Sequence, residues 1–222
     1  MVAAWDARND PNILVGILHV DTTTVAWALG LRALKIPGRF QEPLCVAGMP
    51  FDDSRNVLCQ RALELGADGV FMLDSDVVAP VDTILRLWKH NLPIVSGVYY
   101  RRSPPEGIPV MQKPVGQWIT NFPKKSLIEV DVVGAGCLLL RRSLLENCPP
   151  QRPGKHWFDW RVCFHQSMPR EECLSEDFTF MTHIRRTMGI KTYVDTSIEC
   201  KHIGFAQATN KSFKPLDVAL VG

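Results

Sequence analysis

Apolar positions along this chain fall in short blocks, and their spacing switches between the two-residue period of a strand and the longer period of a helix. Residues 13–20 are a continuous apolar run, as expected for a strand buried on both faces. Residues 25–34 read as a short helix that ends before Pro37 and Gly38, and residues 44–49 as a second short strand. Asp53 or Ser54 can cap the next helix, in which Leu58, Ala62 and Leu65 recur at helical spacing until Gly66 stops it. A strand over 69–73 follows, then a helix over 81–90 with Pro80 at its first turn, then a strand over 94–100. This alternation predicts an α/β fold with a central, mostly parallel sheet and helices on both faces.

The pattern changes at Arg101. Pro104, Pro105, Pro109 and Pro114, with Gly107 and Gly116, mark a loop-rich stretch to about Lys125. Residues 127–133 and 137–140 are strand-like, separated by Gly134, Ala135 and Gly136. A short helix over 144–147 precedes a second proline-rich loop at Pro149, Pro150 and Pro153. Ser175 can cap a helix that carries Phe178, Met181, Ile184 and Met188 on one face and ends at Gly189. Residues 191–194 and 197–201 look like two strands, and the tail after Gly204 carries little pattern.

Composition narrows the class only slightly. A chain of 222 residues, 46% hydrophobic and 22% charged, suits one globular domain or two small halves sharing a sheet. Its 25 basic and 23 acidic side chains nearly cancel, so the net charge of +2 argues for neither nucleic acid nor an anionic membrane. No apolar run approaches the roughly 20 residues that span a bilayer. Asp6, Arg8, Asn9 and Asp10 leave the first residues without a signal-peptide core. The seven cysteines are scattered, and Cys45, Cys59 and Cys137 sit inside apolar patterns, which predicts reduced core thiols and a cytoplasmic location.

The candidate chemistry begins where the strand over 69–73 meets Asp74, Ser75 and Asp76. Side chains two apart on an extended chain point to the same side, so two carboxylates would face each other. They repel unless a cation sits between them or one takes a proton, and a divalent metal is the natural occupant. A turn with a helix-capping Asp before Pro80 is the plainer alternative.

Further pieces follow in a set order. They are the first strand ending in Val20 and Asp21, the pair Arg55-Asn56 opening a helix, Leu73-Asp74-Ser75-Asp76, Gly134-Ala135-Gly136, Ser175-Glu176-Asp177-Phe178, and Lys201-His202-Ile203-Gly204. Together they resemble the GT-A-fold glycosyltransferases of the family-two-like group, over about residues 13–205. The resemblance implies a single domain of two abutting Rossmann-like halves: a nucleotide- and donor-binding half (about 13–100), an acceptor half (about 101–205) and a tail (206–222). The Gln-x-x-Arg-Trp motif of processive members is absent, which speaks against a polymer synthase. So is the glycine-rich Gly-x-Gly-x-Arg opening of sugar-nucleotide pyrophosphorylases.

The activity so implied is metal-dependent, inverting transfer of a sugar from a UDP- or GDP-sugar to an acceptor hydroxyl, of hexosyltransferase type. Asp76 would ligate Mn²⁺ or Mg²⁺, with Asp74 as a second ligand and His202 completing the site. Val20, Asp21, Arg55, Asn56, Ser75, Gly134, Ala135 and Gly136 would bind the donor. Asp177 would be the general base and Glu176 would orient the acceptor, although acidic residues also favour a helix first turn for dipole reasons. Trp157 and Trp160 would form an acceptor platform, unless that aromatic cluster is core. Arg101 and Arg102 are candidates to meet the diphosphate.

Two other classes compete. A zinc-stabilised binding module could draw on Cys163, His165, Cys173, Cys200 and His202, though their spacing is not Cys-x-x-Cys and the Asp pair stays unexplained. A catalytically inactive domain that binds only a nucleotide or glycan is the other. The acceptor is open: a small molecule, a protein, or a modified DNA base. DNA would need Arg101, Arg102, Lys113, Lys124, Lys125, Arg141, Arg142, Arg185 and Arg186 to cluster.

Overall fold

The computed structural model describes residues 10–19, 22–102, 107–160, 174–203, 206–208 and 213–215. A seven-stranded sheet forms its centre. In chain order its strands are β1 (Ile13–His19), β2 (Leu44–Ala47), β3 (Gly69–Asp74), β5 (Ile94–Val98), β7 (Leu127–Val130), β9 (Cys137–Arg141) and β10 (Thr192–Glu199). Their spatial order is β2-β1-β3-β9-β5-β10-β7. β1 pairs in parallel with β2 and β3, and β5 with β10, while β9 and the edge strand β7 are antiparallel to their neighbours. β9 lies between β3 and β5, so those two run the same way and five of the seven strands agree in direction. The mostly parallel α/β sheet expected from the sequence is present.

Alternation along the central strands feeds two cores. Leu14, Leu18, Val70, Met72, Leu138 and Leu140 face one side. Ile13, Val15, Ile17, Phe71, Leu73 and Leu139 face the other. Helices α2 (Phe51–Glu64), α4 (Arg142–Asn147) and α5 (Glu176–Met188) supply Leu58, Ala62, Leu144, Leu145, Phe180 and Ile184 to the first core. Helices α1 (Val25–Ala33) and α3 (Thr83–Lys89) supply Trp27, Ile84 and Leu87 to the second. Each large side chain buried this way contributes about 1.5–3 kcal/mol, which is why β3 can end abruptly in charge without fraying.

A smaller sheet caps the carboxyl end of β3. It joins β4 (Val77–Val78), β11 (Lys201–Ile203), β12 (Ala206–Ala208) and β13 (Phe213–Pro215) in the order β13-β12-β11-β4. A two-stranded ribbon pairs β6 (Met111–Gln112) with β8 (Val132–Val133).

Several boundaries differ from expectation for local reasons. α2 starts at Phe51 with Pro50 at its N-cap, because Asp52 and Asp53 are both taken by Lys155 Nζ and neither caps. The apolar run 127–133 is two strands: Val130 pairs with Thr192 and Val132 with Gln112, so the chain changes sheets at Asp131. Conversely, 192–199 is one strand, because its polar Asp195 and Thr196 find partners in His90 and in the Ser126 backbone. Gly189 ends α5 with φ 67°, and Ile190 N reaches back to Ile184 O. Cys59 and Cys137 are buried as expected, but Cys45 is exposed, since β2 is an edge strand.

Candidate active site

Asp74 is the last residue of β3, and Ser75 and Asp76 turn the chain into β4. Both carboxylates keep some exposure, 29% each, whereas Leu73 before them is buried. They open into a cleft of about 830 Å³ that is also lined by Arg55, Glu176, Asp177, Arg101, Arg102, His202 and Trp160. Widely separated segments therefore meet at the carboxyl end of the sheet, where open α/β sheets hold their ligands.

Arg55 is the hub. Its side chain is only 4% exposed. Nε donates to Glu176 Oε1 at 3.0 Å, Nη2 to Asp74 Oδ1 at 3.2 Å, and Nη1 to the Ala135 carbonyl at 3.4 Å. Burial opposes its charge, but Asp74, Glu176 and Asp177 outweigh that and hold the guanidinium protonated. It is thus an internal counter-ion to the carboxylates, and it also lines the cleft where a donor contact was expected of it. Burial pushes the Glu176 carboxyl up to about 7; Asp177 adds to the rise and Arg55 opposes it. Asp74 is also raised by burial, with Arg55 opposing and Asp76 adding.

Asp177 sits in the first turn of α5 and is held on both oxygens. Oδ2 accepts Ala135 N–H at 3.0 Å, while Oδ1 accepts Phe178 N–H at 2.8 Å and the Ser175 hydroxyl. Ser175 stands at the N-cap position, but its hydroxyl bonds Asp177 and caps no backbone N–H. The turn 134–136 supports the site from beneath. Asp74 N donates to Gly136 O at 3.2 Å, and Gly136 N donates to Tyr99 Oη at 3.2 Å. A Cβ on Gly134 would lie 1.8 Å from Tyr99 Oη, so only glycine allows this approach.

Asp76 meets Arg102 and His202. Arg102 Nη1 is 2.7 Å from Oδ2, and His202 Nε2 is 3.3 Å from Oδ1. Burial works to raise this carboxyl, but the His202 hydrogen bond and the charges of His202 and Arg102 hold it below its usual range. His202 Nδ1 is 2.7 Å from the Tyr100 carbonyl, which can only accept, so Nδ1 donates there and Nε2 is the ring nitrogen turned towards Asp76. A carboxylate beside an imidazole oriented this way fits a divalent cation that takes both oxygen and nitrogen. Asp74 is a weaker candidate ligand, because Arg55 holds its Oδ1. Among the described residues no group of three or more His, Cys, Asp or Glu is arranged to hold a metal. The protein alone offers two donors well placed for one.

Other expected residues lie elsewhere. Asn56 turns away from the cleft and uses its amide to hold the backbone of Trp157 and Phe158. Trp157 is core, 4% exposed, with Nε1 donating to the Leu145 carbonyl at 3.0 Å. It lines the groove along α2, not the cleft that holds Asp74 and Asp76. Trp160 does reach the cleft rim, 41% exposed and stacked on Phe51 with centroids 6.2 Å apart. Val20, Asp21, Cys163, His165, Cys173 and Gly204 fall outside the described residues. Cys200 of the zinc alternative is buried against Cys137. The basic residues disperse: Lys113 and Arg185 pair with Glu129, Arg141 lies over Trp88, and Arg142 pairs with Glu146.

Sequence reasoning missed Tyr99, Phe51 and the threonines after β1. Thr23 Oγ1 donates to the Ser75 carbonyl at 2.9 Å, and Trp27 Nε1 to the Asp74 carbonyl at 3.0 Å. Three threonines in a row directly after a buried strand were the available signal. A larger groove of about 1150 Å³ lies along α2 and the loop 150–157. Its Lys155, Arg152 and Arg61 are paired with Asp53, Asp159 and Glu64.

No protein-family model matches the chain, and no curated protein matches it in sequence. Solved structures do match in shape. A197 from STIV superposes with a TM-score of 0.64 at 17% identity, covering 92% of this chain and 93% of that one. GalNAc-T7, solved with UDP, GalNAc and Mn²⁺, superposes with a TM-score of 0.57 at 10% identity. That match covers 88% of this chain but only 44% of GalNAc-T7. At such identities the likeness concerns the fold alone: an α/β fold with a mostly parallel central sheet, as in GT-A-like structures. Among the described residues no helix is long and apolar enough to cross a membrane.

Proposed function

We propose that this chain is a glycosyltransferase that moves a sugar from a nucleoside-diphosphate sugar to an acceptor hydroxyl, with inversion and with a divalent cation. The observation that carries this is the meeting, in one cleft, of Asp74 and Asp76 at the end of β3 with Glu176 and Asp177 of α5 and His202 of β11. The GT-A fold supports it, and so does the presence of UDP, GalNAc and Mn²⁺ in GalNAc-T7. Asp76 and His202 would hold Mn²⁺ or Mg²⁺. When bound, the cation would neutralise the charge that develops on the diphosphate as it leaves.

The protein's own groups supply the rest. Arg55 opposes the burial that raises Asp74 and holds Glu176 by its Oε1. The turn 134–136 aims Asp177 through its bond from Ala135 N. An acceptor hydroxyl that replaces the Ser175 hydroxyl on Asp177 Oδ1 would stand where the carboxylate can take its proton. Phe51 and Trp160 would offer the acceptor an apolar face at the rim.

One observation favours a nucleotide-binding module without transfer: both Asp177 oxygens already accept protein hydrogen bonds. A panel of UDP-, GDP- and TDP-sugars, with Mn²⁺ and with EDTA, separates the two. Glycosyl transfer or donor hydrolysis that EDTA abolishes is the expected result. Binding without turnover would favour the module, and full activity in EDTA would refute the metal role.

A further inference from the structure

We propose that Arg102 is a built-in counter-ion that competes with the divalent cation for Asp76 and, once displaced, turns to the diphosphate of the donor. The proposal rests on the nucleotide-binding reading of this cleft. Asp76 Oδ2 is covered by Arg102 Nη1 at 2.7 Å, so the carboxylate proposed to hold the metal already carries a cation. The other oxygen faces His202 Nε2 at 3.3 Å, and that ring is fixed by its bond to the Tyr100 carbonyl. The imidazole is therefore tethered, whereas Arg102 reaches Asp76 from a side chain that is 51% exposed. A half-exposed ion pair of this kind is weak and exchangeable. A dication and a guanidinium on one carboxylate repel each other, so they exclude each other at Oδ2.

Arg102 also lines the cleft beside Arg101, whose guanidinium lies 5.3 Å from the Trp118 ring centroid. Once displaced, its planar fork suits two diphosphate oxygens, which an ammonium would match less well. Asp76 thus stays neutralised without the metal, and the same positive charge becomes available as the donor arrives with its cation. Arg102 is a positioning residue here. The consequence is opposite signs: removing Arg102 strengthens metal binding and weakens nucleotide binding.

The test measures Mn²⁺ binding by electron paramagnetic resonance, and UDP binding at saturating Mn²⁺ by calorimetry. The proteins are the wild type, Arg102→Ala, Arg102→Lys and Asp76→Ala. Arg102→Ala should bind Mn²⁺ about five- to tenfold more tightly than wild type without nucleotide, a coupling in the ordinary range for linked sites. It should bind UDP at saturating Mn²⁺ about three- to tenfold more weakly. Arg102→Lys should lie between, and Asp76→Ala should lose Mn²⁺ binding. An Arg102→Ala protein with unchanged or weaker Mn²⁺ binding overturns the proposal, as does unchanged UDP affinity at saturating Mn²⁺. If no variant binds Mn²⁺ but UDP still binds, the proposal fails through the metal and nucleotide binding survives. If UDP fails to bind as well, the proposed function falls with it.

Discussion

Replacing Arg55 with Met tests whether the buried guanidinium holds the site together. Methionine fills much of the same volume without charge, so the change isolates electrostatics from packing. Arg55 has carboxylate partners at 3.0 and 3.2 Å and a carbonyl partner at 3.4 Å, and Glu176 is almost as buried as Arg55 itself. Removing one member of such a group leaves uncompensated buried charge, which costs about 3–5 kcal/mol. That is a large share of a typical total of about 5–15 kcal/mol, so the variant should fold but melt early. The cost should depend on pH with a defined sign. Glu176 has a folded-state pKa raised by burial to about 7, above its unfolded value, so its contribution is fully present at low pH and lost as pH rises through about 7. Without Arg55 both Glu176 and Asp74 rise further, and the variant's deficit should be largest near pH 8 and clearly smaller near pH 5. Urea unfolding of both proteins at the two pH values, with circular dichroism, reads this directly. A deficit under about 1 kcal/mol, or one equal at both pH values, would refute the counter-ion role.

Two further substitutions probe the same floor. Gly134→Ala places a Cβ 1.8 Å from Tyr99 Oη and 2.8 Å from Val110 Cγ1, and should destabilise by about 2 kcal/mol or more in thermal melts; an unchanged melting temperature would show that the turn can shift freely. Asp177→Asn should lower the transfer rate by roughly two to four orders of magnitude with near-normal nucleotide affinity. Because an amide has one acceptor oxygen where Ala135 N, Phe178 N and Ser175 Oγ need two, it should also cost about 1–3 kcal/mol of stability. A normal transfer rate in that variant, or a product that retains the donor's anomeric configuration, would remove Asp177 as base.

The main sheet was legible because its strands are buried on both faces, and continuous apolar runs such as 69–73 have few other homes. Strand direction was not legible: nothing in the residues 137–141 marks β9 as the reversed strand between β3 and β5. Polar residues misled in both directions. Asp131 marks a change of sheet, whereas Asp195 and Thr196 mark only a register shift against β5 within one strand, and their partners across the fold distinguish the cases. At the site, the sequence located the carboxylates but not their solvation. Arg55 and Asn56 read as donor-binding through the resemblance; Arg55 lines the cleft with its charge paired to Glu176 and Asp74, while Asn56 holds the backbone of Trp157 and Phe158. Trp157 and Trp160 are three apart and have opposite fates, which composition cannot separate.

The reversed strand β9 has a kinetic consequence. It hydrogen-bonds on both sides, to β3 and β5, and Cys137 to Leu140 are all but fully buried. Amides in such a position exchange with solvent only when the whole domain unfolds. Asp74 leaves β3 beside the start of this strand, since Leu73 is paired with Cys137. The floor of the cleft therefore belongs to the slowest-opening part of the molecule, a fixed reference against which any ligand of the cleft would be held.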